Sequence, residues 1–265
     1  MSDNHTTQTK ASANSRSWQS LEPRFYDDPG WRARIGLLVL ASDMSIEWDM
    51  IRFTRLDGVD CFTSRMPMAL QVNPDTLAAL ENEVAMATSN LVSWAQFDAI
   101  AFGCTSGAIA VGPARLADMI QSIKPGVAVC NPVDSALSAL AKLNRKRIAL
   151  MTPYNDDVNA TLEDYLGGRG LTLTRTAAFK QDGDPQINRI DPQCLYDEAL
   201  KLADDDSDGL FISCTGLCTS GIVQRIEDQI GKPVVTSNQA LAWATLRAAG
   251  VRDPVAGFGR LFSMH

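Results

Sequence analysis

Two cysteines stand in near-identical company: DAIAFGCTSG at residues 98 to 107 carries Cys104, and DGLFISCTGL at residues 208 to 217 carries Cys214. A free thiol ionises near about pH 8.5, closer to neutrality than an amine at about 10.4, and its ionisation is readily tuned by its surroundings. One thiolate can take a proton from carbon while a thiol on the other side of the ligand delivers one to the opposite face. That inverts a stereocentre without a cofactor. The same pair permits a second chemistry, in which a thiolate adds to an activated double bond, rotation follows, and the sulfur is eliminated. Both routes need a substrate carboxylate held by short polar donors. Ser42, Thr105, Ser106 and Thr215 are suitable, with the loop amides near them, Gly216 included, and Thr105 and Thr215 could also donate to a developing enolate oxygen. The competing reading, two packed core cysteines, is disfavoured by their matched positions.

Those positions follow from the surrounding pattern. An apolar run of four or five residues that ends in small polar residues reads as a buried strand entering a loop. In an open α/β sheet the carboxyl ends of strands are the edge where ligands bind. The echo extends to Arg34–Val39 against Arg147–Met151, and to Gly126–Asn131 against Lys232–Ser237. Ile35 lies 69 residues before Cys104 and Ile148 lies 66 before Cys214, so the landmarks keep their order and spacing. An internal duplication explains this. Strand and helix patterns alternate in both halves, which predicts an α/β fold of two pseudo-symmetric lobes. Each lobe is a parallel sheet flanked by helices, with the active-site cleft between them.

The expected organisation is an N-terminal tail over 1–32, a first lobe over 33–145 and a second over 146–236. The C-terminal segment 237–265 is expected to carry a helix that packs back on the first lobe. A single long helix is read from Pro74 through Leu91, the stretch after Cys104 is read as a glycine-punctuated loop, and the polar stretch 180–192 (KQDGDPQINRIDP) as a loop able to fold over the cleft.

Composition narrows the function. A net charge of −7 with no basic stripe argues against nucleic acid. No run approaches the roughly 18 to 20 apolar residues of a membrane span. The polar N-terminal segment lacks the apolar core of a secretory signal, and six dilute cysteines fit a reduced, cytoplasmic protein. Cys61, Cys130, Cys194 and Cys218 are read as structural. The two histidines, His5 and His265, sit near the chain ends, which disfavours a Ser-His-Asp or Cys-His site and rules out a histidine-rich metal site. No metal site is expected, and without a GxGxxG after the first strand neither is a nicotinamide or flavin cofactor. The expected partner is a small carboxylic-acid substrate, and a homo-oligomer is compatible with the chain.

At these residues the chain resembles the aspartate/glutamate racemase superfamily, and within it the group of maleate cis-trans isomerase, arylmalonate decarboxylase and the ectoine-utilisation protein EutA. The resemblance covers about residues 33 to 258. It implies two α/β lobes, no cofactor, and a catalytic cysteine from each lobe, Cys104 and Cys214; the decarboxylase branch keeps only one. It also implies substrate-binding roles for Tyr154 in TPYND and Asn188 in QINRID. Asp43, in LVLASD, stands where the maleate isomerase motif has an asparagine. An ionised Asp43 accepts but does not donate, and would suit an amino or hydroxyl group better than a carboxylate. The first loop looks most like EutA. The reaction implied is racemisation or epimerisation of a small amino-acid-like acid, an intermediate of ectoine breakdown being one candidate. Maleate-type cis-trans isomerisation is the alternative, with Cys104 as nucleophile. A non-catalytic ligand-binding protein is the reading from a different class.

Overall fold

The computed structural model describes residues 18–26 and 28–264. Most of the expected tail, and both histidines, lie outside the described residues.

The first lobe runs β1 (Ala33–Leu40), α1 (Ile46–Phe53), β2 (Val59–Met66), α2 (Pro74–Ala78), α3 (Glu81–Asn90), β3 (Ala99–Gly103), α4 (Thr105–Val111), α5 (Pro113–Ile123), β4 (Ala128–Cys130) and α6 (Pro132–Lys142). The second follows with β5 (Arg147–Thr152), α7 (Asp156–Gly167), β6 (Thr172–Ala178), α8 (Asp184–Ile187), α9 (Pro192–Leu202), β7 (Gly209–Ile212), α10 (Val223–Ile230), β8 (Val234–Thr236) and α11 (Ser237–Ala248). The sheets have the orders β2-β1-β3-β4 and β6-β5-β7-β8. All pairings are parallel, and the two orders are the same arrangement twice.

The central strands are apolar along nearly their whole length because helices cover both faces of a parallel sheet. β3 and β7 are buried throughout. The repeated aspartate ahead of each has a structural use. Asp98 accepts the Arg34 amide at 2.7 Å, and Asp208 accepts the Arg147 amide at 3.2 Å. Each carboxylate thus fixes the register of its strand against the lobe's first strand, and both thiols emerge at equivalent sheet edges.

Two expectations change. The helix read over Pro74–Leu91 is broken into α2 and α3, which lets Leu77 reach the interlobe cavity while Leu80 packs beside Gly107. The stretch after Cys104 is helical, not a loop. Its Gly107 is there for space: a Cβ would lie 2.6 Å from Leu80 and 2.9 Å from the Cys104 sulfur.

The last helix, α11, lies against α6, α1, β3 and β4. Beyond it Phe258 and Phe262 close on Phe53 of α1, with ring centroids 4.9 and 5.4 Å away. The segment 180–192 spans the lobes. Asp184 donates its amide to the Leu70 carbonyl at 3.1 Å, Val72 donates to Asp182 at 2.9 Å, and Gln71 pairs with Gly183.

Candidate active site

Cys104 follows β3 and caps α4. Its sulfur accepts the Gly107 amide at 3.3 Å and lies 3.9 Å from the Ser106 hydroxyl. Cys214 follows β7 with φ of 139°, a conformation that non-glycine residues rarely adopt and that costs roughly 1–3 kcal/mol. The Gly216 amide and the Tyr154 phenol both favour its thiolate. Each sulfur therefore has a backbone N–H aimed at it, the arrangement that stabilises a thiolate.

The two strand ends are laced together across the lobes. Thr105 donates to the Ser237 hydroxyl at 2.8 Å, and that hydroxyl also accepts the Cys214 amide at 3.0 Å. In the other direction Thr215 donates to the Gly103 carbonyl at 3.3 Å. The loop beyond Cys214 is held from the first lobe. Buried Asp49 on α1 accepts the Thr219 and Ser220 amides, the Thr219 hydroxyl and the Asn238 side chain.

A narrow cavity of about 10 Å³ lies between these ends. Cys104, Cys214, Asp43, Thr105, Ser106, Tyr154, Thr215 and Gly216 all line it, with apolar walls from Leu40, Met68, Val72, Leu77 and Ile187. Ser42 and Asn188 are not on the lining and act as braces. Asn188 accepts the Met44 amide at 2.8 Å and donates to the carbonyls of Ser42 and Asp184, at 3.2 and 2.8 Å. Ser42 donates its hydroxyl to Asp184. Asp184 is the lining residue that motif and spacing did not single out, because it sits in a polar stretch where a Gly-Asp-Pro run signals only a helix start. Ser237 and Asp49 were hidden for a similar reason: they touch the site through chain folding over 23 residues or more.

Burial pushes the Cys104 thiol up to about 12, with Asp184 and Asp43 adding to the effect. Cys214 is raised well above its ordinary value, again chiefly by burial. The site in this state therefore holds two neutral thiols, contrary to the expectation of a thiol tuned toward neutrality. Asp43 is raised to about 6 by burial, although the amides of Ser45 and Ile46 bond its Oδ1 at 2.7 and 2.9 Å. Asp184 is also raised by burial. Among the described residues no cluster of histidine, cysteine and carboxylate side chains is arranged to hold a metal ion, and no helix is long and apolar enough to cross a membrane.

The arylmalonate decarboxylase of Bordetella bronchiseptica is 36% identical over 137 residues, 50% of this chain and 57% of that protein's length. The maleate isomerase of Alcaligenes faecalis is 23% identical over 245 residues, covering 87% of this chain and 96% of that one. A maleate cis-trans isomerase of Nocardia farcinica, solved with a covalently bound succinylcysteine intermediate, superposes with a TM-score of 0.80 at 23% identity over 87% of this chain and 98% of that one. The family model for arylmalonate decarboxylase matches residues 61–262, and the chain belongs to that family, in the maleate isomerase and arylmalonate decarboxylase group of the aspartate/glutamate racemase-like superfamily.

Proposed function

We propose that the chain is a cofactor-independent racemase or epimerase of a small amino-acid-like carboxylic acid, with Cys104 and Cys214 as the two acid/base groups. The observation that carries this is that both sulfurs line one cavity from opposite lobes. In the forward direction one cysteine, as thiolate, takes the proton from the α carbon and becomes a thiol. The electron pair passes into the substrate carboxyl group as an enolate. The opposite thiol then gives its proton to the other face and becomes the thiolate, so the reverse reaction starts from the mirror state. Ser106, on the cavity lining, supplies the hydroxyl donor for the substrate carboxylate, since the Thr105 hydroxyl is engaged by Ser237 and the Gly216 amide by Cys214. Tyr154 stands against Cys214 and favours its charged form.

We further take the substrate to be a nitrogenous acid of the kind formed in ectoine breakdown, on the likeness of the first loop to EutA. A second reading, cis-trans isomerisation of an unsaturated acid through a cysteine adduct, is supported by the succinylcysteine in the Nocardia farcinica relative. Asp43 weighs against a dicarboxylate such as maleate, since its buried carboxylate faces the same cavity.

A screen of small chiral amino and hydroxy acids, and of maleate, by proton NMR in deuterated water separates the two. Racemisation places deuterium at the α carbon and inverts it; addition and elimination through sulfur changes the double-bond geometry and need not place deuterium on carbon. Cys104→Ser and Cys214→Ser should each lower racemisation by about 10²-fold or more. Full turnover by either variant on the true substrate would end the two-thiol mechanism.

A further inference from the structure

The cavity between the thiols is short of positive charge. Asp43 and Asp184 line it, 3% and 7% exposed, and no lysine, arginine or histidine does. Arg65 reaches the first loop, but its guanidinium is spent on the carbonyls of Ala41 and Asp43, at 3.1 Å each, and on the Glu47 carboxylate. Asp43 is met by the two amides on its Oδ1 and by the Thr215 side chain. Asp184 accepts only the Ser42 hydroxyl, on Oδ2; among the described residues no donor meets its Oδ1. That oxygen belongs to a residue on the cavity lining and is left open to accept from a bound molecule.

We infer that Asp184, which shares the cavity lining with Asp43, is a specificity-determining residue that receives a free ammonium group of the substrate beside the reacting carbon. This rests on the racemase reading and narrows its substrate to acids whose amine is neither acylated nor replaced by a hydroxyl. The ammonium belongs near the reacting carbon, not at the far end of a long chain, because both carboxylates lie close enough to both sulfurs to disfavour their ionisation. The substrate's positive charge cancels that repulsion. Binding then makes thiolate formation easier at the moment it is needed, while the resting thiols stay neutral and unreactive. Asp184 is carried by α8, which is tied to the first lobe through Leu70 and Asn188. The clamp is therefore complete only when the 180–192 segment is seated across the lobes.

The test uses matched sets of acids, each containing a free α-amino acid, its N-acetyl derivative and its hydroxy analogue, with the diamino acids among them. Exchange of the α hydrogen is followed by proton NMR in deuterated water for the full-length wild type and for Asp184→Asn and Asp43→Asn. Exchange should be confined to free amines, with kcat/KM about 10²-fold or more above the matched hydroxy acid. Asp184→Asn should reduce that ratio by about 10-fold or more, a selectivity change that a merely structural role does not produce. Asp43→Asn, whose amide oxygen keeps the helix-start bonds, should reduce it in the same direction. Equal exchange of hydroxy, N-acetyl and amino acids in all three proteins would overturn the ammonium clamp and leave the thiol-pair racemase standing. An unchanged ratio in Asp184→Asn would likewise remove Asp184 from the role. If no free amino acid exchanges, and maleate isomerises without taking up deuterium, both readings fall together.

Discussion

The Ser237 hydroxyl accepts the backbone N–H of Cys214 at 3.0 Å. The same oxygen receives Thr105 of the other lobe at 2.8 Å, so one buried side chain sets the backbone of one thiol relative to the residue after the other. Cys214 needs such a hold because its φ of 139° is not one that it would keep unassisted.

Ser237→Ala should therefore cost about 1–3 kcal/mol of stability, since it orphans a buried amide and a buried hydroxyl. Its effect on turnover should exceed its effect on substrate binding, because Ser106 stays in place while Cys214 loses its setting. Urea unfolding and the separate kcat and KM values check this. A variant with wild-type stability and kcat would show that the bond is incidental.

Two neutral, buried thiols should be poor nucleophiles toward reagents. With Cys104 held at about 12, only about one molecule in 10⁵ carries its thiolate at pH 7. Cys194 is exposed. Iodoacetamide at pH 7.5, followed by peptide mass spectrometry, should modify Cys194 first and leave Cys104 and Cys214 unmodified at least about 100-fold longer. Rapid loss of either site cysteine in the substrate-free protein would contradict the neutral resting state.

The duplication was legible because it repeats local features: an aspartate, an apolar run and a Cys-Thr end. The structure shows why both halves keep the aspartate, which pins the strand start to the amide of Arg34 or Arg147. What stayed hidden is everything that reaches the site by crossing between lobes. Asp184 and Asp49 act over sequence separations of 142 and 170 residues, and no local pattern marks such a partner. The resemblance implies a substrate-binding role for Asn188, and in the structure its side chain bonds Met44, Ser42 and Asp184. The α4 helix was missed because Gly107 reads as a breaker, whereas here it clears space for a sulfur.

Asp43 makes stability depend on pH in a defined direction. Folding raises this carboxyl to about 6 by burying it. Between its ordinary value of about 4 and that value the folded chain binds more protons than the unfolded one, so stability falls as pH rises through this window. Above it the cost is fully present, up to about 3 kcal/mol. Asp43→Asn keeps an acceptor for Ser45 and Ile46 and never ionises. It should be more stable than wild type at pH 8, with the gap closing toward pH 4. A variant less stable than wild type at pH 8 would mean that the two amides and Thr215 stabilise the ionised carboxylate by more than burial costs it.

Asp49 holds the loop beyond Cys214 from the opposite lobe, fully buried and surrounded by donors: Thr219 N at 2.9 Å, Thr219 Oγ1 at 3.1 Å, Ser220 N at 3.2 Å and Asn238 Nδ2 at 3.1 Å. Asp49→Ala strands all of these at once and should cost roughly 3–5 kcal/mol, the scale seen when one partner of a buried charged network is removed. Asp49→Asn keeps the shape but turns an N–H₂ toward some of the donors, and should lose less than the alanine variant. Because the loop carries the Gly216 amide that favours the Cys214 thiolate, the asparagine variant should also move the alkaline limb of the kcat/KM profile to higher pH. A shift in stability with no movement of that limb would separate the loop's anchoring from the ionisation of Cys214.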